Sequence, residues 1–147
     1  MIDLTDTGEL EALGKQVGVP AWNVPREGNL PHILRACSSL DLILIDGLDE
    51  MECEVQDASK GAGLQYRSLR VIGADEPTSE VRKQLQLATE NASIVVTRVE
   101  SCENMNGLLA ELRISGYPVS HVCEGSELSG GVRAARTDEM KLDTRAA

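Results

Sequence analysis

The sequence predicts an α/β protein: a three-layer sandwich of Rossmann or flavodoxin type, with a mainly parallel sheet of four or five strands. Two observations carry the prediction. Short apolar runs recur at residues 41–47, 70–73, 93–97 and 119–122, each with the pattern of a buried strand. Segments with helical spacing lie between the last three, and connections this short favour right-handed crossovers between parallel strands. The run at 41–47, Asp-Leu-Ile-Leu-Ile-Asp-Gly, is read as the central strand, with Ile43 and Ile45 on one covered face and Leu42 and Leu44 on the other.

Taken in order, residues 5–17 read as a first helix. Thr5 or Asp6 can cap it, Leu10, Leu13 and Val17 share one face, and Gly18 ends it. Residues 19–24 are bracketed by Pro20 and Pro25, so any strand there belongs at a sheet edge. Asn29 followed by Pro31 is a helix entry, and Leu30, Ile33, Leu34 and Cys37 then trace an apolar stripe. Beyond the central strand, Met51, Val55, Ala58 and Ala62 keep helical spacing despite the acids Glu52, Glu54 and Asp57. Residues 69–73 form the next strand, and the 75–78 segment opens a helix with Val81, Leu85 and Ala88 inward. After the β-branched strand at 93–99, Met105, Leu108, Leu109 and Leu112 mark a further helix, with Gly116 placed for a left-handed cap. Residues 119–123 close the series. The domain is thus read as residues 1–124, followed by a Gly/Ser-rich linker and mixed-charge tail over 125–147, which gains order only against its own domain's acidic rim, the nearer candidate, or against a second chain.

Composition limits the function. The 147 residues suit one domain. With no Phe, one Trp and two Tyr, the core must be aliphatic. Fourteen basic against twenty-four acidic residues give a net charge of −10, which opposes direct binding to nucleic acid or anionic membrane. Arg outnumbers Lys ten to four; together with the acidic surface, this fits a salt-adapted cytoplasm or a GC-rich genome equally well. The amino terminus lacks the basic and apolar regions of a signal peptide, and no apolar run nears the roughly 18 residues of a membrane span. A cytoplasmic protein is expected. Cys37, Cys53, Cys102 and Cys123 form no C-x-x-C pair, against both zinc and a disulfide framework.

In an open parallel sheet, ligands bind beyond the carboxyl ends of the strands. The loops there carry Asp46, Asp49 and Glu50; Asp75 and Glu76; Glu100 and Glu103; Glu124 and Glu127. Asp46, Asp49 and Asp75 are the candidate metal ligands, since Mg²⁺ takes oxygen ligands and needs only one or two carboxylates plus water. Against that, Asp75 and Glu103 also suit helix N-termini, where negative charge is favourable. His32 and His121 have no sequence link to a serine or to Cys102 as base and nucleophile. Cys102 precedes a helix whose dipole would lower its pKa, but Glu100 and Glu103 oppose that. The 125–131 loop and Arg133 could hold an anion, or serve as a linker.

Asp46, ending an apolar strand, resembles the phosphoacceptor aspartate of receiver domains. The preceding strand, however, ends Asn23-Val24-Pro25 where those domains carry an acidic pair, and the last strand carries no lysine at its end. The same run is similar to the Walker B strand of RecA-like ATPases, yet the chain has no G-x-x-x-x-G-K-[ST] to cradle phosphates and no G-x-G-x-x-G after a strand. Toprim domains offer a third likeness, but Asp46-Gly47-Leu48-Asp49 lacks their D-x-D spacing. No one family follows. The functional reading is a non-catalytic module acting through a protein partner or self-association. The alternative is a small Mg²⁺-dependent phosphate-handling enzyme using the acidic loops.

Overall fold

The computed structural model describes residues 1–5, 7–24, 29–47, 51–125 and 131–136. These form two compact units, Met1–Tyr66 and Arg67–Ala147. The strands accordingly divide between two sheets, one of three and one of four strands, where the sequence suggested a single sheet. Both are mainly parallel and flanked by helices, the expected α/β, Rossmann-like arrangement.

The first unit runs β1 (Ile2–Asp3), α1 (Glu9–Val17), β2 (Trp22–Asn23), α2 (Leu30–Ala36), β3 (Ile45–Asp46) and α3 (Glu52–Gly61). Its strands lie in the order β2-β1-β3, all parallel, with Ile2 opposite both Trp22 and Ile45. The chain steps outward from β1 to β2, then returns past β1 to β3. Right-handed crossovers therefore place α1 on one face of the sheet and α2 on the other. The core lies on the α2 and α3 side: Ile2, Leu4 and Val24 from the strand segments pack against Leu30 and Leu34 of α2 and against Met51, Val55 and Ala58 around α3. On the opposite face α1 sits close through Gly14, where a Cβ would lie 2.6 Å from the Val19 carbonyl oxygen and 2.9 Å from the Ala21 Cβ.

Local chemistry explains most helix ends here. Gly18 caps α1 in the left-handed conformation (φ 71°), and its N–H donates to the Gly14 carbonyl. At α2, the Asn29 side-chain oxygen accepts from the His32 N–H at 3.2 Å. The helix begins at Glu9, not Thr5, with Gly8 at its N-cap.

The stretch at 41–47 departs from its reading as a fully buried strand. Only Ile45 and Asp46 are β-structure, although the ladder is prolonged by the Ile2 N–H donating to the Leu44 carbonyl at 2.8 Å. Ile43 and Ile45 pack on the core, as their alternation requires. Leu42 and Leu44, on the other face, are 72% and 51% exposed.

The second unit runs β4 (Ser68–Gly73), α4 (Thr78–Gln86), β5 (Ala92–Thr97), a 3-10 turn (Val99–Ser101), α5 (Met105–Ser115), β6 (Val119–Cys123) and β7 (Val132–Ala134). Strand order follows chain order, β4-β5-β6-β7, parallel except for the antiparallel last pair. With no reversal of direction, both crossover helices fall on one face. There Ile72, Ile94 and Val96 meet Val81 and Leu85 of α4 and Leu108 and Leu112 of α5. A forked ion pair joins the helices, the Arg82 Nε donating to Glu111 Oε2 at 2.9 Å and Nη2 to Oε1 at 2.5 Å. Leu69 and Val71 point to the opposite face and are each 57% exposed.

The chain returns to this sheet beyond Glu124: Val132 pairs with Cys123 and Arg133 with Val122, inside the stretch read as linker and tail. Residues 126–130 and 137–147 of that stretch lie outside the described residues.

Candidate functional site

Strand order locates the site. In the first unit β1 leads to α1 on one face while β3 leads to α3 on the other, so the loops leaving these neighbouring strands diverge. A ligand crevice in an open α/β sheet forms at such a switch point, outside the carboxyl ends of the strands. Asp3 and Asp46 occupy those ends as direct register partners.

The two carboxylates live in different surroundings. Asp3 is 1% exposed. Its Oδ1 accepts the Thr5 N–H at 2.8 Å and the Thr5 hydroxyl at 2.5 Å. The Thr5 hydroxyl, followed by the Thr5 amide, holds the Asp3 carboxyl below its ordinary value; burial opposes this, and the Gly8 and Leu10 amides at the start of α1 assist it. Oδ2 has no hydrogen-bond partner among the described residues. Asp46 is exposed, and its Oδ1 accepts the Gly47 N–H at 3.0 Å.

Gly47 brings the two strand ends together. Its φ is 88°, and a Cβ there would lie 2.6 Å from the Thr5 Cγ2 and 3.0 Å from the Thr5 nitrogen. Only glycine combines that backbone conformation with so close an approach.

The second unit carries a different arrangement at its carboxyl edge. Arg98, directly after β5, is a non-glycine residue in the left-handed region (φ 55°). That conformation costs on the order of 1 kcal/mol and is held here by ion pairs. Arg98 Nε donates to Asp75 Oδ1 at 2.7 Å and Nη2 to Glu76 Oε1 at 3.3 Å. Glu76 also accepts the Gly73 N–H and, through Oε2, the Gln84 side-chain amide at 2.7 Å. Beside this cluster lies a cleft of about 280 Å³ over Val81 and Leu108, bordered by Asp75, Glu76, Thr78, Glu103 and Asn104. Asn104 is the N-cap of α5, its side-chain oxygen accepting the Gly107 N–H at 3.0 Å.

The proposed metal ligands fall in different units. Asp46 belongs to the first unit and lies next to Asp3; Asp75 belongs to the second, with the Arg98 guanidinium as its cation; Asp49 lies outside the described residues. No group of three or more His, Cys, Asp or Glu residues placed to hold a metal occurs among the described residues. Neither Asp75 nor Glu103 caps a helix: α4 begins after Pro77 without a side-chain cap, and α5 begins after Asn104. Glu124 pairs with Arg133 at 2.6 Å. His32 and His121 are exposed, and Cys102 packs against the second core.

Sequence reasoning missed Asp3 and Arg98. Asp3 ends a two-residue strand, too short to show alternation, and nothing in the sequence distinguishes Arg98 from a surface arginine.

No protein-family model matches the sequence, and no curated protein matches it. Among solved structures, the chain is similar in fold to FtsY from Mycoplasma mycoides, with a TM-score of 0.62 and 14% identity over 95% of this chain. It is likewise similar to FlhF complexed with GTP/Mg(2+), with a TM-score of 0.64 and 10% identity over 91% of this chain. The chain spans 55% and 56% of the lengths of those two proteins.

Proposed function

We propose that this chain is a non-catalytic, cytoplasmic α/β binding module that acts by engaging a protein partner. The observation supporting this is the uncovered face of the second sheet. Parallel sheets are ordinarily covered on both faces, yet Leu69 and Val71 on β4 are 57% exposed, and Val132 on β7 is 68% exposed. Exposed apolar surface on an otherwise polar, acidic protein marks an interaction site. The net charge of −10 argues for a protein over a nucleic acid as the partner. No helix among the described residues is long and apolar enough to cross a membrane.

The test compares immobilised wild-type chain with the Leu69→Asp/Val71→Asp double variant as bait in cell extract. A protein retained by the wild type and lost by a folded variant is the expected result. Equal retention by both, or no specific retention by the wild type, overturns the reading.

A second reading, Mg²⁺-dependent phosphate handling, is favoured by one arrangement: Asp3 and Asp46 side by side at the switch point, in a fold shared with FlhF, itself solved with GTP/Mg(2+). Asp46, with Asp3, would hold the ion in the first unit, and the ion would supply charge for a phosphate that the acidic edge otherwise repels. Amide chemical shifts followed during titration with Mg²⁺, then GTP, decide it. Saturable shifts at Asp3, Thr5, Asp46 and Gly47 would establish the second reading; a flat response removes it.

A further inference from the structure

A groove of about 420 Å³ runs between α2 and α3 in the first unit, with Leu30, Met51 and Ala58 at its floor and Pro31 at one end. Its banks differ in sign: α2 contributes Arg35, and α3 contributes Glu54 and Asp57. All three charged side chains are exposed, and none makes an ion pair among the described residues. Neighbouring helices that carry opposite charges at their rims would ordinarily close a bridge between them.

We propose that this groove is a self-association surface, and that its occupant is the same groove of a second copy of the chain. The reason is symmetry. In a two-fold contact each residue meets on the partner the residue that meets it in return. When the two-fold axis runs along the groove, the cationic bank of each copy therefore faces the anionic bank of the other. Arg35 of each copy faces Glu54 and Asp57 of the other, so both ends of the contact are charge-matched with no second kind of partner.

The size of the surface sets the strength. Helices of seven and ten residues are roughly 10 and 15 Å long. Such a face falls short of the roughly 800 Å² per partner of a standard stable interface, so the dimer is weak and reversible. The charge of −10 on each copy adds a long-range repulsion that the local pairs must overcome. Salt screens both effects, so charge-reversal variants carry the test. This surface belongs to the first unit, whereas the uncovered sheet face belongs to the second; either can fail without the other.

The experiment is sedimentation equilibrium of the full chain over a concentration series up to the millimolar range at physiological salt. The wild type is expected to show a monomer–dimer equilibrium. Arg35→Glu makes both banks acidic, and Glu54→Arg/Asp57→Arg makes both basic. Each variant alone should raise the dissociation constant at least about tenfold. Mixed one to one, the two should form a heterodimer at least as readily as the wild type self-associates, because every contact is again between opposite charges. Heterodimer formation also shows that both variants are folded, since only native helices present the matched banks. A wild type that stays monomeric throughout, variants that dimerise as the wild type does, or a mixture of folded variants that fails to associate would each overturn the proposal.

Discussion

The two units are built from the same parts, parallel strands joined by right-handed helical crossovers, and differ in the order in which the chain lays those strands down. In the first the chain reverses direction after β2, giving the order β2-β1-β3; in the second it advances steadily from β4 to β7. Reversal sends successive helices to opposite faces and makes the carboxyl ends of β1 and β3 a switch point, where open α/β sheets bind their ligands. Steady advance puts α4 and α5 on one face, leaves Leu69 and Val71 uncovered, and creates no switch point. One topological choice thus separates a switch point in the first unit from an uncovered sheet face in the second.

The largest expected effects test that asymmetry through packing. Ile94→Ala, on the covered face of β5, should lower stability by about 2–5 kcal/mol, whereas Val71→Ala on β4 should change it by no more than about 0.5 kcal/mol. In the first unit Leu44→Ala should resemble Val71→Ala, and Ile45→Ala should cost clearly more, because only Ile45 joins the core. Urea unfolding of the four variants measures this. A loss above about 2 kcal/mol at Val71 would mean that both faces of the second sheet are covered, and the contrast between the units would disappear.

Next in size are two glycines of the first unit. Gly→Ala inside a helix normally gains up to about 1 kcal/mol. At Gly14 of α1 the sign should reverse, because the new methyl meets the Val19 carbonyl and forces α1 off the sheet. Gly47→Ala should cost about 1–3 kcal/mol through its left-handed backbone and its contact with Thr5. Thermal denaturation of both variants checks the pair, and a stabilised Gly14→Ala would show that α1 does not lie close on β1 and β2.

These glycines show what was legible in the sequence and what was not. The helices were, because their signals are local: Asn29 and Asn104 cap α2 and α5, Gly18 and Gly116 end α1 and α5, and the periodic Leu and Val residues mark the buried faces. The α/β alternation was legible for the same reason. How fully each sheet face would be covered was not, because an apolar run does not record how many helices will pack on it. Leu42 and Leu44 read as core and are exposed; α1 packs on β1 and β2 through Gly14 and contributes nothing to the core cluster. Of the candidate site, Asp46 was singled out by its strand-end pattern. Its neighbour Asp3 was hidden in a strand too short to carry a period, and the Arg98 clasp on Asp75 depends on a backbone conformation that no residue type announces. The return of the chain as β7 was masked by the Gly/Ser-rich loop before it.

The smallest expected effects are electrostatic and occur in both units. The carboxyls of Asp3 and Glu111 are held below their ordinary values of 3.8 and 4.5, by the Thr5 hydroxyl and by the Arg82 guanidinium respectively. A carboxyl whose folded pKa is depressed contributes stability that is present above its unfolded pKa and lost as pH falls through the folded one. Acid unfolding should therefore draw on Asp3 below about pH 4 in the first unit and on Glu111 below about pH 4.5 in the second. Asp3→Asn should flatten the acid limb for the first unit and Arg82→Ala for the second. Stability profiles from pH 7 to 2 measure this, and profiles unchanged by either substitution would show that these carboxyls titrate alike in the folded and unfolded chain.

The uncovered sheet face is the claim on which the functional reading stands, and carbene footprinting of the free chain, resolved residue by residue along β4 and β5 by mass spectrometry, tests it most directly. Leu69 and Val71 are predicted to label strongly while Ile72 and Ile94, both 0% exposed, stay protected. Equal protection of all four would mean that the second sheet is covered on both faces in solution, and the proposed docking surface would not exist.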